Sequence, residues 1–144
     1  MTVVQTLPVS RRALLALSLV PLAPARATPE SLKAAIRAFT GGAPPAGGRV
    51  EIDIAELVEN GNTVPVTLRV SGEGKVRSLA LFTERNPQPE VAVFHFSPRT
   101  PRFEVSTRIR LATSQALVAV ALGTDGRAWQ RHTEVLVTLA ACVE

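Results

Sequence analysis

The stretch RFEVSTRIRL, residues 102–111, decides the fold. Phe103, Val105, Thr107, Ile109 and Leu111 occupy every second position, and Arg102, Glu104, Ser106, Arg108 and Arg110 fill the places between them. In an extended strand successive side chains point to opposite faces, so this alternation turns one face to a core and the other to water. The same period recurs upstream. Val50, Ile52 and Ile54 alternate with Arg49, Glu51 and Asp53 in RVEIDI (49–54), and Val64, Val66, Leu68 and Val70 alternate with polar residues and Pro65 in TVPVTLRV (63–70). Four less regular runs read as further strands: KVRSLALF (75–82), EVAVFHF (90–96), QALVAVAL (115–122) and EVLVTL (134–139). Ala116–Leu122 and Val135–Leu139 are apolar on both faces, as central strands of a covered sheet would be.

Turn residues divide these runs. Asn60-Gly61 favours the positive backbone angles of a tight turn, Ser71-Gly72 and Gly74 open the next connection, and Gly123 with Asp125-Gly126 suits a hairpin. The prolines of NPQP (86–89) and SPRTP (97–101) withhold the N–H that a sheet ladder needs, so they mark strand ends. The expectation is an all-β fold, an immunoglobulin-like antiparallel β-sandwich of about seven strands over 49–139. The cysteine pair and core tryptophan pattern of antibody domains is absent, so the architecture is expected without that ancestry.

Ahead of the strands, Thr28-Pro29-Glu30 has an N-cap residue, a proline for the first helical position and an acid for the first turn. Leu32, Ala35, Ile36 and Phe39 follow at helical spacing, and Gly41-Gly42 ends the run. Residues 28–48 are therefore expected to be one short helix and a connector, APPAGG (43–48).

The first 27 residues read as an export leader. Arg11 and Arg12 are its charged part, Ala13 to Ala25 its apolar part, and Ala25-Arg26-Ala27 fits a small-residue cleavage site. Ser10-Arg11-Arg12 with Leu14 and Leu15 resembles a twin-arginine signal. The apolar run is too short to span a hydrocarbon core of about 30 Å, so no membrane anchor is expected and the mature chain is placed in the periplasm. Cleavage after Ala27 leaves 13 basic against 12 acidic residues. That near-neutral balance supplies no phosphate-binding field, so nucleic acid is not an expected partner.

Most enzymatic signatures are missing. Gly72-Glu73-Gly74 lacks the third glycine and the strand–helix setting of a dinucleotide loop, and no G-x-S-x-G elbow occurs. His95 and His132 stand far apart with no neighbouring Cys/His cluster, so no metal site is expected. Trp129 reads as a packing residue at a sheet edge, and Arg102, Arg108 and Arg110 as a solvated or partner-facing strand surface. One chemically active group is left. Cys142, the only cysteine, directly follows the last strand-like run in Ala140-Ala141-Cys142-Val143-Glu144. A single cysteine forms no disulfide within its own chain. It is a buried filler, a link to another molecule, or a working thiol.

The stretches ENGNTVPVTLRV (59–70), FTERNPQPEVAVFHFSPRT (82–100) and EVSTRIRLATSQALVAVA (104–121), with the twin-arginine leader, resemble the SoxY family. That resemblance implies a periplasmic carrier of oxidised sulfur in thiosulfate and sulfur-compound oxidation, not an enzyme. Such a carrier pairs with a SoxZ-like subunit as a heterodimer and presents its cargo to periplasmic sulfur-oxidising enzymes. By position, the covalent carrier residue is Cys142, on an arm formed by Ala140, Ala141, Val143 and Glu144 (140–144). No cofactor is implied beyond a sulfur intermediate bound covalently to Cys142. The family typically ends Gly-Gly-Cys-Gly-Gly; the tail here is similar to that of a paralogue group, the SoxY-related AACIE arm proteins, with Val143 in place of isoleucine. Five residues beyond Leu139 would reach roughly 17 Å when extended. Glu144 adds negative charge beside the thiol, so activation of the thiolate is expected from a partner or client protein. A non-covalent binding or structural subunit of a periplasmic complex is the alternative reading.

Overall fold

The computed structural model describes residues 27–142, and among them are one helix and nine strands. Residues 1–26, which hold all but the last residue of the expected twin-arginine leader (1–27), lie outside the described residues, as do Val143 and Glu144. Helix α1 spans Pro29–Thr40; the strands are β1 (Ala46–Gly47), β2 (Val50–Asp53), β3 (Leu57–Asn60), β4 (Val64–Val70), β5 (Val76–Thr83), β6 (Glu90–His95), β7 (Phe103–Ile109), β8 (Gln115–Gly123) and β9 (Ala128–Leu139).

Two sheets face each other. The smaller has the order β2-β4-β7 and is antiparallel throughout. Its alternating runs do what their period requires. Val64, Val66, Leu68 and Ile109 are buried against the other sheet, while Thr67 and Ser106 share a hydrogen bond on the outer face and Arg69 bridges Asp53 and Glu104 there. The larger sheet has the order β1-β9-β8-β5-β6, with β3 also paired to β9. Its inner face contributes Leu79, Leu81, Leu117, Ala119, Ala121 and Val135 to the shared core.

The outer face of the larger sheet is closed by α1. Leu32, Ala35, Ile36 and Phe39 cover Ala80, Phe82, Val118 and Val120, and Phe39 meets Phe82 edge-on at a ring separation of 6.0 Å. This third layer is why β5 and β8 are apolar on both faces. The helix starts as its residues demand: the Ser31 N–H donates to Thr28 Oγ1 at 3.1 Å, and the Thr28 N–H donates to Ser31 Oγ at 2.7 Å. Gly41 ends it at φ +66°. Thr28→Ala removes one side of this reciprocal cap and is expected to cost about 1 kcal/mol, measured as a lower urea midpoint with unchanged slope.

Three expectations change. The strands number nine because β1 and β3 add to β9 in parallel, making the larger sheet mixed. β1 lies inside the connector and pairs through the backbone of Ala46 and Gly47, which leaves no side-chain period to read. β9 begins at Ala128, six residues before the run EVLVTL (134–139), because Gln130, Arg131 and His132 stay in register with β8 through backbone bonds. The run Val135–Leu139 is not covered on both faces: Leu136 and Leu139 are 61% and 59% exposed. The helix does not extend over that end of β9.

Trp129 does act in packing, but one strand in from the edge, because β1 pairs outside it. The Arg49 guanidinium lies 4.1 Å from its ring centroid. At the neighbouring β8–β9 hairpin, the backbone N–H and then the guanidinium of Arg127 hold the Asp125 carboxyl below its ordinary pKa.

Candidate functional site

The site grows out of the last strand. β9 carries the chain past the end of β8 and ends at Leu139, where β3 runs beside it. The strands are tied there by side chains as well. Thr138 Oγ1 donates to the Glu59 carbonyl at 3.0 Å, and the Val137 N–H donates to Ser114 Oγ at 2.8 Å. Beyond Leu139, Ala140 is exposed, Ala141 is buried at 7% exposure, and Cys142 is exposed with a free thiol.

Backbone bonds fix the departure of the tail. The Gly61 N–H donates to the Leu139 carbonyl at 2.7 Å, the Leu111 N–H to the Gly61 carbonyl at 2.9 Å, and the Ala141 N–H to the Leu111 carbonyl at 2.9 Å. Three separate segments thus meet at one point. A Cβ on Gly61 would lie 2.5 Å from the Leu111 oxygen and 3.0 Å from the Ala141 nitrogen, so only glycine fits. The glycine of Asn60-Gly61 is therefore required for this close approach; it is not among the residues with positive φ. The tail, expected to swing from Ala140 onward, is held at Ala141.

Leu111 is itself held from below. The buried side chain of Asn86 donates through Nδ2 to the Arg110 carbonyl at 2.8 Å and accepts from the Ala112 N–H at 3.0 Å, gripping the residues on either side of Leu111. Buried Gln115 donates to the same Asn86 oxygen at 2.9 Å and accepts from the Arg85 N–H at 2.8 Å. Sequence reasoning read Gly61 as a turn residue and Leu111 as a core-facing one, but missed their hold on the tail and missed Asn86 altogether. The NPQP motif drew attention to its prolines, and nothing local tells that an asparagine will clamp a loop 25 residues away.

The surface at the root of the tail is apolar. Leu57 and Leu136, neighbours across the β3–β9 ladder, are 59% and 61% exposed. The other sequence candidates lie elsewhere. His95 is exposed on β6, and His132 is exposed on β9 and lines a cavity of about 520 Å³ between α1 and β9 with Leu32, Ile36, Pro44 and Pro45. Arg102, Arg108 and Arg110 are exposed, as their alternation requires. Among the described residues no three His, Cys, Asp or Glu side chains come together in a group suited to a metal ion. No described helix is long and apolar enough to cross a membrane.

Fold and site together define a two-sheet β-sandwich, backed by one helix, that presents a lone free thiol on a short stem beyond its final strand. A model of the family "Sulfur oxidation protein SoxY" matches residues 36–142, three quarters of the sequence. The chain belongs to the SoxY family. The structure of the sulfur carrier protein SoxY from Chlorobium limicola f thiosulfatophilum is similar, with 36% sequence identity and a TM-score of 0.68 over 76% of this chain and 98% of that one. A superoxide reductase (neelaredoxin) from Ignicoccus hospitalis shares the fold at 18% identity and a TM-score of 0.56, over 62% of this chain and 80% of that one. No curated protein matches the chain.

Proposed function

We propose that this chain is a periplasmic sulfur-carrier subunit that holds oxidised sulfur covalently on Cys142 while partner enzymes act on it. The observation that carries this reading is the placement of the sole cysteine of a SoxY-family chain, exposed at the residue after the last backbone bond among the described residues. A carrier needs a nucleophile that leaves the protein surface without unfolding the domain. The stem beyond β9 suits that need, because Cys142 is exposed there while Ala141 before it stays packed on the domain. The carrier is not itself the catalyst. Membership of the SoxY family supports this division of labour, in which proton transfer and oxidation fall to the clients that receive the exposed thiol.

The export route and partner follow the same reading. The twin-arginine-type leader takes the chain to the periplasm already folded and paired with a SoxZ-like subunit. Among the described residues β6 and β7 are edge strands, which offer backbone for such pairing. The Ala-Ala-Cys-Val-Glu tail supports placement in the AACIE-arm paralogue group, whose stiffer alanine stem narrows the set of clients relative to a glycine stem.

Intact-mass analysis of the mature protein from cells, with and without reductant, tests the proposal. A carrier yields sulfur-containing mass increments that map to the C-terminal peptide and depend on the sulfur source. An unmodified thiol under every growth condition would instead make the chain a non-covalent or structural subunit.

A further inference from the structure

The tail of a carrier has to be both held, so that its cargo is not lost to side reactions, and released, so that the cargo reaches a client. We infer that Asn86 is a positioning residue that sets this balance, by building a latch at Leu111 that grips the tail through Ala141. The inference rests on the carrier reading for its purpose, but its geometry stands alone.

The latch is a relay of backbone groups with the buried side chain of Asn86 beneath it, itself held by buried Gln115. Asn86 bonds the Arg110 carbonyl and the Ala112 N–H, which fixes the peptide groups on both sides of Leu111. The fixed Leu111 then uses its own N–H on Gly61 and its carbonyl on Ala141. Gly61 in turn holds Leu139. Leu111 is fully buried, so this loop is anchored in the core and does not follow the tail. The Ala141–Leu111 bond is the link that opens, because it is the outermost backbone bond among the described residues.

Opening that bond changes the reach of the thiol. With the latch closed, Cys142 directly follows the last fixed backbone group among the described residues, a span of roughly 3.5 Å. With it open, the free stretch begins at Ala140 and the three residues to Cys142 span roughly 10 Å. The closed tail keeps the sulfur at the carrier surface, and the open tail enters a client cleft. Asn86 therefore acts at a distance on the reach of Cys142 without touching it.

Cys142 is the only cysteine, so a nitroxide label attaches there without engineering. In the purified protein the label is expected to give a two-component spectrum, and the Ala141 amide to exchange slowly. Asn86→Ala removes the clamp. It is expected to convert most of the label to the fast component and to raise Ala141 exchange at least tenfold. Gly61→Ala strikes the same latch from the other side, since its Cβ would lie 2.5 Å from the Leu111 oxygen, and is expected to do the same. Val66→Ala, a core change in β4, serves as the control: it lowers the melting temperature and leaves label mobility and Ala141 exchange as in the parent. The inference is overturned if Asn86→Ala and Gly61→Ala leave Ala141 protected, or if the core control frees the tail as much as they do. These measurements need no cargo, so a latch without sulfur adducts would refute the carrier and keep the latch, and adducts on an unlatched tail would do the reverse.

Discussion

Replacing Cys142 by serine is expected to abolish sulfur-dependent turnover in a reconstituted system while leaving the fold intact. The side chain is exposed and contributes no packing, so stability should stay within about 0.5 kcal/mol of the parent. The hydroxyl that replaces the thiol keeps the shape and removes the nucleophile and the sulfur–sulfur linkage. Intact mass should then show no adduct with any sulfur source, and melting curves should superimpose. Residual turnover near the parent level would move the cargo away from Cys142. A large fall in melting temperature would mean that the thiol is a packing residue after all.

The second large effect is structural. Phe82→Ala should destabilise the protein by about 3–5 kcal/mol, because it empties a site that no neighbour can refill. Phe82 is fully buried on β5 with Ala80, Val118 and Val120 beside it and Phe39 of the helix against its ring. Domains of this size are stable by only about 5–15 kcal/mol, so the loss is a large share of the total. We expect the melting temperature to fall by about 10 °C or more, and α1 to lose amide protection before the sheets do. Leu136→Ala, by contrast, should change stability little, since Leu136 is already in water. Equal losses for the two variants would mean that the apolar end of β9 is covered in solution, as by a partner subunit.

Much of the architecture was legible because it is written in periods. The alternation in 49–54, 63–70 and 102–111 gave β2, β4 and β7 with the correct inward faces, since a strand that buries one face has one register that keeps polar groups in water. Thr28, Pro29 and Gly41 marked the helix ends for equally local reasons. β1 and β3 were not legible. Each joins β9 through backbone hydrogen bonds that any sequence can make, and their side chains carry no period. The doubly apolar runs were ambiguous in a more instructive way. β8 is doubly apolar because α1 covers it, whereas the same composition at Val135–Leu139 stays partly in solvent because the helix ends short of it.

The sequence alone determined the two-faced strands, the capped helix and the position of one thiol just beyond the last strand, because periodicity, caps and residue counts are local properties. Only the tertiary structure decided how that thiol is held. Gly61, Asn86, Leu111 and Ala141 belong to separate stretches of chain, and their bonds exist only once the two sheets have closed and brought those backbones within about 3 Å of one another. No local pattern encodes a contact made of backbone groups from distant segments, and that contact sets how far the cysteine can travel.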